Sequence, residues 1–321
     1  MKKTYNFSKG FIACAIISVI LIAFGCVGFF TKGINLGLDF KPGVIEEVII
    51  SSENEVKIED VRDSLKDFES CQVKKIGSSS ENAFQIRLPS VSDEDSSDEM
   101  LQTEINSALE KVFGEGSVQT SKWDRISPSF SNTLAFKSLI LLLITIVLIW
   151  AYAAFRFHWD FALGAIIALL HDTLIMFSFI VWSQMEFTTT VLAAILTIIG
   201  YSINASVVIL DRVRFNISNA KVSKFNEILN ISLSETLSRS IITTVTTLFA
   251  VISLYIFTTG SIKDFALAMI VGLISGLYSS MFISSGFISL IRKNWKPEYG
   301  IHHSEKSMKK GVLNMNSGVQ V

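Results

Sequence analysis

The residues with the most to offer chemically in this chain are polar ones standing inside apolar runs. Asp172 is the twelfth residue of the run Phe161–Trp182, about 17 Å from its start if the run is helical. His171 precedes it directly. A charge at that depth costs about 2.5–3.5 kcal/mol to insert, so the carboxyl group either handles a proton or ion or is held protonated by a hydrogen bond to a neighbouring helix. Adjacent residues of a helix point in different directions, which predicts that His171 and Asp172 do not face one site. A second patch, Tyr201, Ser202, Asn204 and Ser206, lies in the run Thr189–Leu210. Asn204 and Asp211 are seven residues apart and share nearly one helix face, with Asp211 and Arg212 at the mouth of the run. Asn204 reads equally as a bridge between helices and as a functional group. Arg239 opens the run Ile241–Phe257 and is followed by Thr243, Thr244, Thr246 and Thr247. It either snorkels from a helix end or meets a charged partner. The chemistry these groups suit is proton or ion transfer. Nucleophilic hydrolysis fits poorly, because no Ser or Cys nucleophile motif accompanies the intramembrane histidine.

Elements that could hold such groups follow from composition. Half of the 321 residues are apolar, 18% are charged, and mean hydropathy is +0.47; a soluble chain carries about a quarter charged residues. Disorder and a disulfide scaffold are excluded. Cys14 and Cys26 are 12 residues apart in one run, about 18 Å along a helix, and leave Cys71 without a partner. Six runs are long enough to span a bilayer, which takes about 20 residues: Phe11–Phe30, Leu134–Ala154, Phe161–Trp182, Thr189–Leu210, Ile241–Phe257 and Phe265–Ile291. The fifth is short; the last is long enough to tilt or break. A 30-residue loop is expected from Asp211 to Ser240. In the sixth run Gly272, Gly276, Ser280 and Ser284 recur every four residues, a ridge for close helix packing.

Charge orients the spans. With the N-terminus inside, 15 Lys and Arg residues fall in the inner segments and only Lys263 in the short outer loops, which places both termini in the cytoplasm. The first run reads as a permanent anchor; a cleaved signal or a lipobox ending before Cys26 is the alternative, which its length and Phe24 disfavour. The expected layout is an N-terminus and first span over 1–30, an outer head over 31–133, five spans over 134–291 and a cytoplasmic tail over 292–321. Residues 31–137 carry a net charge of −8, which excludes a nucleic-acid partner for the head. The head reads as a small α/β unit: strand Val44–Ile50, a helix through Ile58, Val61, Leu65 and Phe68, strands Cys71–Ile76 and Ala83–Leu88 around a turn at Gly77, a second helix through Leu101, Ile105 and Leu109, and a last strand over Ser117–Ile126. That order is the ferredoxin-like β-α-β-β-α-β unit. It has no His, no cysteine pair and no Gly-rich phosphate loop, so it reads as a binding or docking head. Neither cofactor nor metal is expected, and the chain reads as a non-enzyme.

Four segments carry a family resemblance. Gly37-Leu-Asp39-Phe40, continuing to Gly43, resembles the G-[IL]-D-F-x-G-G segment of the SecF family, with Pro42 in place of one glycine. Phe161 to Asp172 is similar to the family's third span, Ile199 to Asn204 and Val207 to Arg212 to its fourth, and Thr236 to Ser240 with Thr246-Thr247 to the start of its fifth. The resemblance covers nearly the whole chain. It implies a subunit of the Sec translocase in the bacterial cytoplasmic membrane, among membrane lipid, paired with a SecD-like subunit of similar architecture and working beside a SecYEG-type channel. The implied task is late preprotein translocation driven by the proton gradient, with the head touching the unfolded preprotein. It also implies a fourth-span carboxylate acting with the arginine that matches Arg239, but this chain has Ala205 there. Either SecD supplies the titrating group, or Asp172 carries more of the load, or coupling is weak. Two other readings compete: a scaffold that stabilises the channel without moving protons, and a half-transporter for lipids or small molecules.

Overall fold

The protein's structure is a computed structural model that describes residues 4–52, 55–68, 71–76, 82–89, 98–219, 222 and 224–295. The expected turn at Gly77, Lys221 and the tail from residue 296 lie outside these residues.

Six helical segments are long and apolar enough to cross a bilayer. They comprise α1 (Phe11–Lys32), α4 (Pro128–Arg156), α5 (Trp159–Ser183), α6 (Thr189–Asn219), α7 (Phe225–Phe257) and the joined pair α8 (Gly260–Tyr278) and α9 (Ser285–Ile291). Between α1 and α4 lies a small head: β1 (Gly43–Ile50), α2 (Ile58–Ser64), β2 (Gln72–Ile76), β3 (Ala83–Pro89), α3 (Asp98–Phe113) and β4 (Val118–Ile126). Its sheet order is β2-β3-β1-β4 with every neighbour antiparallel, which is the ferredoxin-like arrangement. Val48, Ile50, Phe84 and Ile86 turn one face of the sheet onto Val61, Leu65, Ile105 and Leu109 of the helical layer, the period-2 strand pattern meeting the period-3.6 helix pattern. Glu46 is fully buried on that face; its Oε1 accepts from Thr120, and Oε2 has no protein partner among the described residues. Burial lifts the Glu46 carboxyl above its usual range, against the opposing pull of the hydrogen bond from Thr120. Burial likewise pushes the Cys71 thiol up to about 11.

The expected 30-residue loop after Asp211 is instead mostly helix. Helix α6 continues to Asn219 and α7 begins at Phe225, leaving a short connection. Phe225, Ile228, Leu229, Ser232, Leu233, Thr236 and Ser240 are buried at helical spacing, so one face of this stretch packs against Ile209, Leu210 and Val213 of α6 while the other stays polar. A hydropathy window averages the two faces and misses the helix. The sixth span is not broken: a π-helical segment, Ser279–Ser284, carries α8 into α9.

Close helix contacts depend on glycines. A Cβ on Gly272 would stand 2.5 Å from Ile198 of α6, and one on Gly25 of α1 would stand 2.9 Å from the Cα of Ser178 on α5. Helix α1 is fastened further by Phe24 stacked on Trp182, with ring centroids 4.0 Å apart, and by the Trp182 indole N–H donating to the Phe24 carbonyl at 2.9 Å.

Candidate functional site

The bundle has two apolar cores with a polar layer between them. One core gathers Met176, Ile180, Val191, Ile195, Ile198 and Leu273 toward the head; the other gathers Phe11, Phe161, Ala165, Leu210, Leu229 and Ile288 at the opposite end. Along α5, α6, α8 and the start of the π segment the residues between these cores include Asp172, Ser202, Ser275 and Ser279. Asp172 is fully buried. It stands 13 residues into the 25-residue α5, about 20 Å along its axis and near mid-bilayer.

Four polar groups converge on that carboxyl group. Ser275 donates to Oδ1 at 2.6 Å, and Ser202 and Ser279 donate to Oδ2 at 2.5 and 2.7 Å. His171 Nδ1 lies 3.1 Å from Oδ1, while its Nε2 lies 2.9 Å from Ser18 Oγ on α1. Ser18 is 3.1 Å from the Tyr278 hydroxyl, which donates to the Cys14 carbonyl at 2.7 Å. This corrects the expectation that His171 and Asp172 face apart. Their Cα–Cβ directions diverge, but the imidazole is long enough to fold back along the helix surface and bring Nδ1 to the carboxyl oxygen. A carboxylate accepts at about four lone-pair positions, and four hydrogens can fill them here when His171 is protonated at Nδ1. Gly276 makes room for the cluster; a Cβ there would lie 3.5 Å from Ser202 Cβ and 3.8 Å from Asp172 Oδ2.

Asn204 and Arg239 meet at a different place. With Tyr201, Ala205, Val208, Ser240 and Thr243 they line a crevice of about 60 Å³ between α6 and α7. Both side chains are exposed, and among the described residues neither has a side-chain hydrogen bond or ion pair. Arg239 is the fifteenth residue of α7, not its opening residue, and lies 18 residues from the head-side end, about 27 Å along the helix and at the margin of the hydrocarbon core. Beyond it the bundle end is laced by ion pairs: Arg156 with Asp211 at 3.1 Å, Arg212 with Glu235 at 2.6 Å, and Arg292 with Asp160. Asn216 also donates to Glu235, at 2.8 Å. Asp211 and Arg212 are thus engaged with other helices, and Asp211 does not join Asn204.

The segment after α1 ties the head to the bundle. Gly37 N–H donates to the Phe187 carbonyl, and Phe187 N–H to the Asn35 carbonyl. A Cβ on Gly37 would stand 2.7 Å from Thr188 Cγ2, so only glycine allows this approach. Asp39 accepts from both the backbone N–H and the hydroxyl of Thr189, at 2.8 and 2.7 Å, and so caps the first turn of α6. Phe40 stacks on Phe187 at 5.4 Å, and Gly43 opens β1. Two ion pairs join the sheet to the bundle below it: Arg87 with Glu186 of the α5–α6 connection at 2.7 Å and Lys74 with Asp264 in the first turns of α8 at 2.6 Å.

Comparison with known proteins decides the family. The profile described as protein export membrane protein SecD/SecF, C-terminal, matches residues 104–294, and the SecD/SecF GG motif matches residues 27–45. A protein translocase subunit SecF of Borreliella burgdorferi is 35% identical over 303 residues, 92% of this chain and 100% of that one. The chain belongs to the SecF family. A SecF of Treponema pallidum is 40% identical over 257 residues, 74% of this chain and 61% of that longer protein. The crystal structure of SecDF from Thermus thermophilus, a translocon-associated membrane protein, superposes with a TM-score of 0.76 at 28% identity over 91% of this chain. This chain spans 39% of that one. In this SecF-family chain the matched GG-motif region runs from the last turns of α1 through the Asp39 cap into β1. The chain is a multi-pass membrane protein with a small antiparallel head after its first span.

Sequence reasoning found Asp172, Asn204 and Arg239 but missed the partners that define their surroundings. Ser18, Ser275, Ser279 and Tyr278 gave no distinct signal, since serine in an apolar helix also reads as packing. Their spacing held one clue: Ser275 and Ser279 are four apart, one residue before Gly276 and Ser280 of the small-residue ridge.

Proposed function

We propose that this chain works as the SecF-type subunit of a Sec translocase in a bacterial cytoplasmic membrane, with both termini cytoplasmic. It pairs with a SecD-like subunit beside a SecYEG-type channel, and its head engages unfolded preprotein late in translocation. Asp172 is the proton-responsive group of this chain. The observation that supports the reading is the carboxyl group at mid-bilayer with its acceptor positions filled by hydroxyls from α6, α8 and the start of the π segment and by His171. Adding a proton converts one acceptor position to a donor, so one of the four groups there, Ser202, Ser275, Ser279 or His171 Nδ1, must switch from donating to accepting. That changes the contact of α5 with α6 and α8. Because Asp39 caps α6, a shift of α6 reaches the head through a single side chain. One proton crossing 100 mV supplies about 2.3 kcal/mol, enough to bias a two-state element about fiftyfold.

A second reading, a scaffold without proton coupling, is favoured by the Arg239 crevice, where Ala205 leaves the arginine without a carboxylate. Reconstitution with the SecD-like partner and channel separates the two. Completion of a stalled preprotein is followed with and without a proton gradient. Acceleration by the gradient supports coupling. Equal rates, with export still slowed when the subunit is omitted, support the scaffold.

A further inference from the structure

At the bundle end away from the head, a groove of about 910 Å³ runs between α1 and the π segment with α9, a size typical of sites for small amphiphiles, about 300–1,000 Å³. Its walls are aliphatic and aromatic: Ile12, Ile16, Val19 and Ile20 of α1 face Ile283 and Phe287. From Phe11 to Ile20 it follows α1 for ten residues, about 14 Å. The end near the membrane surface is chemically different. Lys224, Lys293, Asn226 and Trp295 stand there, and no carboxylate is among the described residues that line the groove. Arg292 is already engaged by Asp160 and lies over the rings of Phe161 and Phe225, at 4.5 and 5.4 Å. Lys224 and Lys293 are exposed and have no side-chain partner among the described residues. Asn226 accepts the Ser289 hydroxyl at 2.6 Å and keeps its amide N–H groups for another acceptor.

We infer that this groove holds one anionic phospholipid, its acyl chain along α1 and its phosphate between Lys224 and Lys293. An apolar channel with two ammonium groups at its mouth that have no partner among the described residues is complementary to an amphiphile that is negatively charged at one end. Basic pockets between spans attract such headgroups. An uncharged partner helix would fill the channel but leave both ammonium groups without a counter-charge. Trp295 follows the end of α9 by four residues, where an indole is suited to anchor among headgroups.

The test uses the full-length chain in detergent, titrated separately with dioleoyl phosphatidylglycerol and dioleoyl phosphatidylcholine, with bound lipid counted by native mass spectrometry. Phosphatidylglycerol is expected to bind about tenfold more tightly than phosphatidylcholine. The K224Q/K293Q double variant, changed only at exposed positions, is expected to lose the preference. I16W, which fills the channel, is expected to lower occupancy by both lipids. Equal affinity of the wild-type chain for the two lipids overturns the inference, and so does a preference that survives in the double variant. Cross-links from an A15C label to the SecD-like partner, with no phosphatidylglycerol preference, would assign the groove to protein and overturn it too.

Discussion

Two polar places in the same bundle are built on opposite terms. Around Asp172, helices α1, α5, α6 and α8 close over a carboxyl group whose oxygens face three hydroxyls and an imidazole. Around Arg239, α6 and α7 leave a small open crevice in which an arginine and an asparagine face Ala205. A buried ionisable group persists where its hydrogen-bonding positions are filled, because an unfilled one costs about 1–3 kcal/mol. An exposed one near the membrane surface can do without a partner, since its long stem reaches water. The first site is therefore committed to its geometry, and the second is open to whatever packs against α6 and α7.

The most severe way to break the comparison is Asp172→Asn. The amide nitrogen turns donors toward hydroxyls that were donating, at a cost of about 1–3 kcal/mol. The protein is expected to insert, melt earlier and lose gradient-driven acceleration of export. Wild-type export kinetics in this variant would remove Asp172 from any coupling role. Gly272→Ala tests whether the polar layer depends on close helix approach. Its Cβ would meet Ile198 at 2.5 Å, and the strain is expected to cost about 1–3 kcal/mol. Gly276→Ala meets only ordinary contacts and is expected to be milder; equal thermal shifts for the two would contradict this account of α6 and α8.

Ala205→Asp sharpens the other side by offering Arg239 a carboxylate. Stability is expected to change by about 1 kcal/mol or less, as for other partly exposed pairs. The dependence of export on the gradient is the informative readout: a rise marks the crevice as a coupling site lacking one group, whereas no change leaves coupling with Asp172 or the partner. The smallest effect is expected from Glu46→Gln in the head, a buried carboxyl group with only one oxygen served by the protein. Its folded pKa is raised, so the native state binds more protons than the unfolded one, and stability falls as pH rises above about 4.5. The glutamine variant is expected to melt about a few degrees higher at pH 7 and to lose that slope; an unchanged melting curve at pH 7 would contradict it.

How much of this was legible in sequence depended on what each residue's own neighbours in the chain could report. The head was readable because alternation in Val44–Ile50 and Ala83–Leu88 and helical spacing at Ile105 and Leu109 are local signals. Asp172 was readable because a charge inside an apolar run needs a reason. The groups around it were not. Ser202, Ser275 and Ser279 reach it from residues 30 or more positions away, and serines such as Ser178 simply bond their own helix. His171 was misplaced because helical direction alone ignores the reach of an imidazole. The early half of α7 is not legible as a helix in hydropathy because only one of its faces is apolar. The Arg292–Asp160 pair joins positions 132 apart, a distance no local pattern carries.

The seam between head and bundle has one further consequence, set by chain length. Only three residues separate the Asp39 cap on α6 from Gly43 at the start of β1, a reach of about 14 Å when fully extended. On the return path only Ser127 separates Ile126 of β4 from Pro128 of α4. With both crossings so taut, the head has little freedom to travel away from the membrane. The motion left to it is to pivot, like a plate on two neighbouring pins, about an axis through residues 40–43 and 127.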